Sequence, residues 1–120
     1  MQVSKELEAK CLALAANAPE PGPPLDCSEK EFQARVVALA KRYGWKAHHH
    51  TISKRSSPGW FDLVLARDGQ VIFAELKTEK GKQTDEQKEW FESFRLAGLQ
   101  VFVFRPRDWD VIAAILRARE

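Results

Sequence analysis

The apolar residues change period along the chain, and the changes mark its elements. In SKELEAKCLALAA (4–16), Leu7, Cys11 and Leu14 recur at helical spacing, which predicts a short helix. The next ten residues, Asn17 to Asp26, contain four prolines and a glycine and read as a linker or an extended strap. Helical period returns after Ser28. Phe32, Val36, Leu39, Ala40 and Tyr43 form one stripe that stops at Gly44. Ser28 and Glu31 have the spacing of a capping box. Trp45 to Ile52 reads as extended, and Lys54 to Pro58 as a basic, serine-rich loop. Two apolar β-runs, FDLVLA (61–66) and VIFAELK (71–77), flank Asp68-Gly69, a strong hairpin signal. Thr84 and Gln87 form a second capping box, opening a helix with Trp90, Phe91 and Phe94 that ends before Gly98. Leu99 to Phe104 is a further strand, broken by Pro106. Asp108 to Arg119 is a final helix with Val111, Ile112, Ile115 and Leu116 inward.

These elements divide the chain into residues 1–27, an N-terminal helix and Pro-rich linker, and a domain over residues 28–120. The domain order is α-β-β-β-α-β-α, an α/β arrangement without internal repeats. With 120 residues, 44% hydrophobic and 30% charged, the chain fits a single globular domain with its own core. No apolar run approaches the ~20 residues of a membrane span, and the N-terminus lacks the apolar stretch of an export signal. A cytoplasmic protein is expected. Cys11 and Cys27 lie outside any zinc-ligand spacing and are expected to be free thiols. The net charge of +2 says little about partners, but its distribution is uneven. From Lys41 to Lys82 there are nine Lys/Arg against four acids. That basic middle is compatible with a phosphate backbone, and equally with an ordinary solvated surface.

The hairpin puts candidate chemistry in one place. If Asp68-Gly69 is a two-residue turn, opposed residues sum to 137, so Asp62 lies opposite Glu75 and Trp60 opposite Lys77. Opposed side chains share a face, and alternation adds Lys77 to the face of Glu75. Val64, Val71 and Phe73 line that face, while Leu63, Leu65, Ile72, Ala74 and Leu76 fill the other. Two carboxylates and one ammonium at the end of a buried hairpin leave one negative charge without compensation. A divalent cation between Asp62 and Glu75 would resolve the conflict. Mg²⁺ suits one or two carboxylates, with water and phosphate completing its shell. Such a site suits phosphodiester hydrolysis, with Lys77 orienting water and stabilising charge on the phosphate. A buried salt-bridge cluster without a metal is the plainer alternative.

Other residues carry two readings each. Glu29 lies about 40° from the centre of its helix stripe and Glu31 about 120° away, so Glu29 points toward the sheet. Acids also favour helix N-termini for electrostatic reasons alone. Gln87 caps its own helix, yet its spacing to Trp90, Phe91 and Phe94 also faces it inward. In the extended run His48-His49-His50, His49 points opposite to its neighbours, so the three cannot chelate one ion. They read as surface or half-buried side chains, with a DNA contact by His49 as the functional alternative.

Four segments in order, SEKEFQARVVALAKRYGW, GWFDLVLA, FAELKTEKGKQTDEQKEW and VFVFRPRDW, resemble the VRR-NUC domain (virus-type replication-repair nuclease), a branch of the PD-(D/E)xK superfamily. The resemblance spans about Glu29 to Trp109. It implies a restriction-endonuclease-like core with a mixed sheet flanked by helices, here with an extra N-terminal helix. It implies Mg²⁺ or Mn²⁺ held by Asp62, Glu75 and the backbone carbonyl of Leu76, with Lys77 catalytic, Glu29 the acid of the first helix and Gln87 the glutamine after the ExK motif. Stand-alone, phage-like members resemble Holliday-junction resolvases, which implies a homodimer acting on branched DNA in a bacterial or phage-infected cell. Flapped, nicked or single-stranded DNA, or a binding module without turnover, are the alternatives. Lys54, Arg55, Lys80 and Lys82 are candidate DNA contacts. The family has Pro before the aspartate where this chain has Phe61, so the lead into the strand is expected to differ.

Overall fold

A computed structural model describes residues 21–49 and 57–118. The expected helix 4–16, Cys11, His50, Lys54 and Arg55 lie outside the described residues. The described elements are α1 (Glu29–Arg42), β1 (Lys46–His49), β2 (Leu63–Arg67), β3 (Gln70–Leu76), α2 (Asp85–Leu96), β4 (Gln100–Phe104), a 3-10 turn (Pro106–Asp108) and α3 (Trp109–Arg117). The strands form one mixed sheet in the order β1-β2-β3-β4. The pairs β1/β2 and β2/β3 are antiparallel, and β3/β4 is parallel. A parallel pair needs a crossover, and α2 provides it.

The β2–β3 hairpin has the expected register, from Leu63 opposite Ala74 to Arg67 opposite Gln70. Asp68 and Gly69 both have positive φ, 50° and 80°. That is the backbone of a two-residue turn whose twist matches the strands. Ladder pairing stops at Leu63, so Asp62 sits in the bend just before β2 rather than within it. The parallel ladder runs one step past β3, where the Lys77 N–H donates to the Phe104 carbonyl at 2.9 Å.

One face of the sheet is a closed core. Leu63, Leu65, Ile72, Ala74 and Leu76 pack against Phe32, Val36, Leu39 and Ala40 of α1 and Trp109, Ile112, Ala113 and Leu116 of α3. Cys27 joins this cluster, Pro23 is buried, and Gly22 lies so close to the Trp109 ring that a Cβ would stand 2.8 Å from it. Arg35 donates to the Pro21 carbonyl at 2.9 Å. Residues 21–27 are thus a strap packed on the domain, closed by a turn in which the Cys27 N–H donates to the Pro24 carbonyl, and the hydrophobic core includes Cys27. Arg67, counted above with the basic middle, points into this core. Its guanidinium donates to the carbonyls of Tyr43, Leu116 and Ala118 and lies 4.4 Å from the Trp45 ring centroid. It serves the C-terminal ends of two helices, where carbonyls lack intrahelical donors, and is not available to a phosphate.

The other face is covered by α2 through aromatic rings. Trp60 and Phe61 ahead of β2, Phe73 on β3, and Trp90 and Phe94 on α2 meet at centroid distances of 4.9–6.3 Å. Trp90 also donates to the Pro58 carbonyl at 3.1 Å. Yet α2 has no fully buried residue, Leu96 is 73% exposed, and Val71, expected to line this face, is 41% exposed. The helix is docked by one aromatic patch and not embedded.

The caps follow the sequence in part. Thr84 and Gln87 form the complete reciprocal box. At α1 the Ser28 hydroxyl accepts from the Glu31 N–H at 3.1 Å, the serine half of the box. Pro106 does more than end β4, since it opens the 3-10 turn that delays α3 to Trp109.

Candidate active site

Two local devices bring the acidic residues together. The first is the lead-in to β2. Gly59 has φ +83°, and a Cβ there would stand 2.4 and 2.6 Å from the backbone of Glu86 and Gln87. Only glycine fits that conformation and that gap. Phe61 is fully buried against Phe73 and Phe94, 5.4 and 5.3 Å between centroids. The residue that replaces the family proline is therefore an aromatic anchor immediately before Asp62. The second device is a hydrogen bond, in which the Leu76 N–H donates to Asp62 Oδ2 at 2.8 Å. It ties Asp62 to the backbone between Glu75 and Lys77 and leaves Oδ1 for a ligand.

Glu75 has no solvent exposure. Its Oε2 accepts from Gln83 Nε2 at 2.7 Å, and its Oε1 is buried with no hydrogen-bond partner. Burial pushes its pKa above the ordinary 4.5; Gln83 and Lys77 oppose the shift, and Asp62 adds to it. Glu29, in the first turn of α1, also has a raised pKa, from burial first and then from the Asp62 charge, with Lys77 opposing. Glu29 thus shares the electric field of Asp62 and Lys77. Glu31 instead acts on Cys27, whose thiol is raised by burial and then by that carboxylate.

Of its two readings, Gln87 takes the helix cap. Its side-chain oxygen accepts from the Thr84 N–H at 2.9 Å, so the glutamine bonded to the ExK glutamate is Gln83. His49 is exposed at the end of β1. It pairs with Leu63, on the core-facing side, whereas His48 pairs with Val64 on the side of Asp62. Lys80 and Lys82 are exposed on the loop after β3. Arg105 pins that loop by donating to the carbonyls of Thr78 and Gly81 at 2.6 and 2.7 Å. Neither Gln83 nor Arg105 carries a motif or period that singles it out in the sequence. Their roles depend on contacts between segments.

A cation fits this chemistry within limits. An orphaned buried carboxylate oxygen beside a second carboxylate is the donor set that a hard divalent ion satisfies. Among the described residues no group of three His, Cys, Asp or Glu could hold a metal by itself. Any bound ion would rely on the two carboxylates supplemented by carbonyl, water or substrate oxygens.

No family model matches the sequence. A solved structure described as a VRR-NUC domain protein superposes with a TM-score of 0.60 at 27% identity, covering 75% of this chain and 86% of that one. The four-stranded mixed sheet between helices is consistent with a restriction-endonuclease-like PD-(D/E)xK core. Within that class the chain has the fold of the VRR-NUC domain and resembles it in sequence. Fatty acid 2-hydroxylases also match in sequence. The protein of Rattus norvegicus is 34% identical over 85 residues, and that of Mus musculus 30% over 99. These matches cover 69% and 81% of this chain but 23% and 27% of the hydroxylases, so the chain spans about a quarter of their length. No helix among the described residues is long and apolar enough to cross a membrane.

Proposed function

We propose that this domain is a metal-dependent DNA endonuclease that hydrolyses phosphodiester bonds, selective for branched DNA. The observation that carries the reading is the fully buried Glu75, with one oxygen held by Gln83 and the other unpartnered beside Asp62. A buried carboxylate without a cation is costly, and a protein that keeps one has a use for it. Asp62, Glu75 and the Leu76 carbonyl would hold Mg²⁺ or Mn²⁺. That ion, when bound, supplies charge neutralisation and Lewis acidity at the scissile phosphate. Lys77 donates to the attacking water or to the phosphate oxygens on which negative charge grows. Glu29, whose pKa is raised above the ordinary carboxylate value by burial and by the Asp62 charge, holds its proton more tightly than a free glutamate and is the third acid of this site. Lys80 and Lys82, with Lys54 and Arg55, would hold the phosphate backbone. A homodimer would present two such sites to the paired strands of a junction.

The test is cleavage of labelled four-way junction, flap, single-stranded and linear duplex DNA with Mg²⁺ or Mn²⁺, beside Glu75→Ala and Lys77→Ala proteins. Junction cutting that disappears in both variants supports the reading in full. Cutting of other forms alone keeps the chemistry and removes the junction. DNA binding without metal-dependent cutting of any form would make the domain a binding module.

A further inference from the structure

We propose that Gln83 is the positioning residue of the site: it fixes the Glu75 carboxylate so that Oε1 stays presented to the cation. This rests on the metal-dependent reading above. Three observations carry it. The Gln83 amide reaches Glu75 Oε2 at 2.7 Å. Glu75 has no solvent exposure, and its other oxygen is buried without a partner. Gln83 itself sits on a loop whose turn is closed from two sides, by Arg105 on the Thr78 and Gly81 carbonyls and by the Gly81 N–H donating to Thr78 Oγ1 at 3.1 Å.

The chemistry of the donor matters. A neutral amide orients a carboxylate and occupies one oxygen without cancelling its charge, so the attraction for a divalent ion survives. A lysine or arginine at the same distance would form an ion pair and compete with the cation. Side chains that orient ligands in this way commonly govern affinity as strongly as some ligands do. The loop geometry adds a second consequence. Lys80 and Lys82 flank Gly81 on the same pinned segment, so Arg105 fixes both the orienting amide and the exposed lysines relative to β3.

The experiment titrates Mn²⁺ alone into the metal-free protein by calorimetry, for the wild type, Glu75→Ala, Gln83→Met and Gln83→Asn. Methionine keeps the length and fills the space but has no donor; asparagine keeps the amide but falls a methylene short. Both Gln83 variants are expected to bind Mn²⁺ roughly 10–100-fold more weakly. Their melting temperatures without metal should fall by several degrees at most, as a buried carboxylate loses its donor, with the protein still folded at 25 °C, and kcat should fall at nearly constant KM for DNA. Gln83→Met binding Mn²⁺ as tightly as wild type, while Glu75→Ala binds none, would overturn the role of Gln83 and leave the metal site standing. Absence of Mn²⁺ binding by the wild type would overturn the metal-dependent reading itself.

Discussion

Arg67 and Glu75 are the two buried charged residues among those described, and they lie on opposite faces of one hairpin. Arg67 donates to three backbone carbonyls, lies over an indole ring and has its Nε 3.9 Å from the Asp68 carboxylate, so most of the cost of its burial is offset within the fold. Glu75 receives one hydrogen bond and has an oxygen with no partner. The difference separates a structural buried charge from a functional one. A charge whose hydrogen bonds reach several segments ties elements together, whereas a buried carboxylate with a single neutral donor gains most from a cation outside the chain. The surroundings agree. The Arg67 face is a closed hydrophobic core, while the Glu75 face carries a helix with no fully buried residue.

The comparison can be broken by substitution. The largest effect expected is on activity: Glu75→Ala should lower DNA cleavage by about 10³-fold or more in a Mg²⁺-dependent assay, because the cation loses a ligand. Arg67→Met should leave three carbonyls without their donor and cost about 3 kcal/mol, lowering the melting temperature by more than ~10 °C with no specific change in metal affinity. Gly59→Ala should cost about 2 kcal/mol, since a Cβ meets the α2 backbone and φ is positive; denaturant melts would measure it. Glu75→Gln should act in the opposite direction on stability and raise that of the metal-free protein by about 1 kcal/mol at neutral pH.

The pH dependence sharpens the last point. Burial raises the Glu75 pKa above 4.5, so the folded metal-free protein holds that proton more tightly than the unfolded chain. This contribution is fully present below the unfolded value and is lost as pH rises through the folded value. Glu29 adds a shift of the same sign. Unfolding free energies across the range above pH 4.5 should fall with rising pH in the metal-free protein, less so in Glu75→Gln. An identical slope in that variant would remove Glu75 as the cause.

Much of this protein was decided by local chemistry. Asp68-Gly69 supplied the turn, the turn set the register, and the register directed Asp62 toward the end of β3 that carries Glu75. Side-chain alternation and helical spacing separated the core residues from the rest, because both follow from backbone geometry alone. Tertiary structure decided which polar groups are satisfied. Gln87 was committed to its own helix cap, and Gln83, on an irregular loop, was delivered to Glu75 by the loop's path and the Arg105 clamp. Arg67 resembled any surface arginine until two helix ends converged on it, and His48 and His49 were told apart only by strand pairing. Hydrogen bonds between distant segments have no period in the sequence, so the site's carboxylates were legible there and the groups that hold them were not.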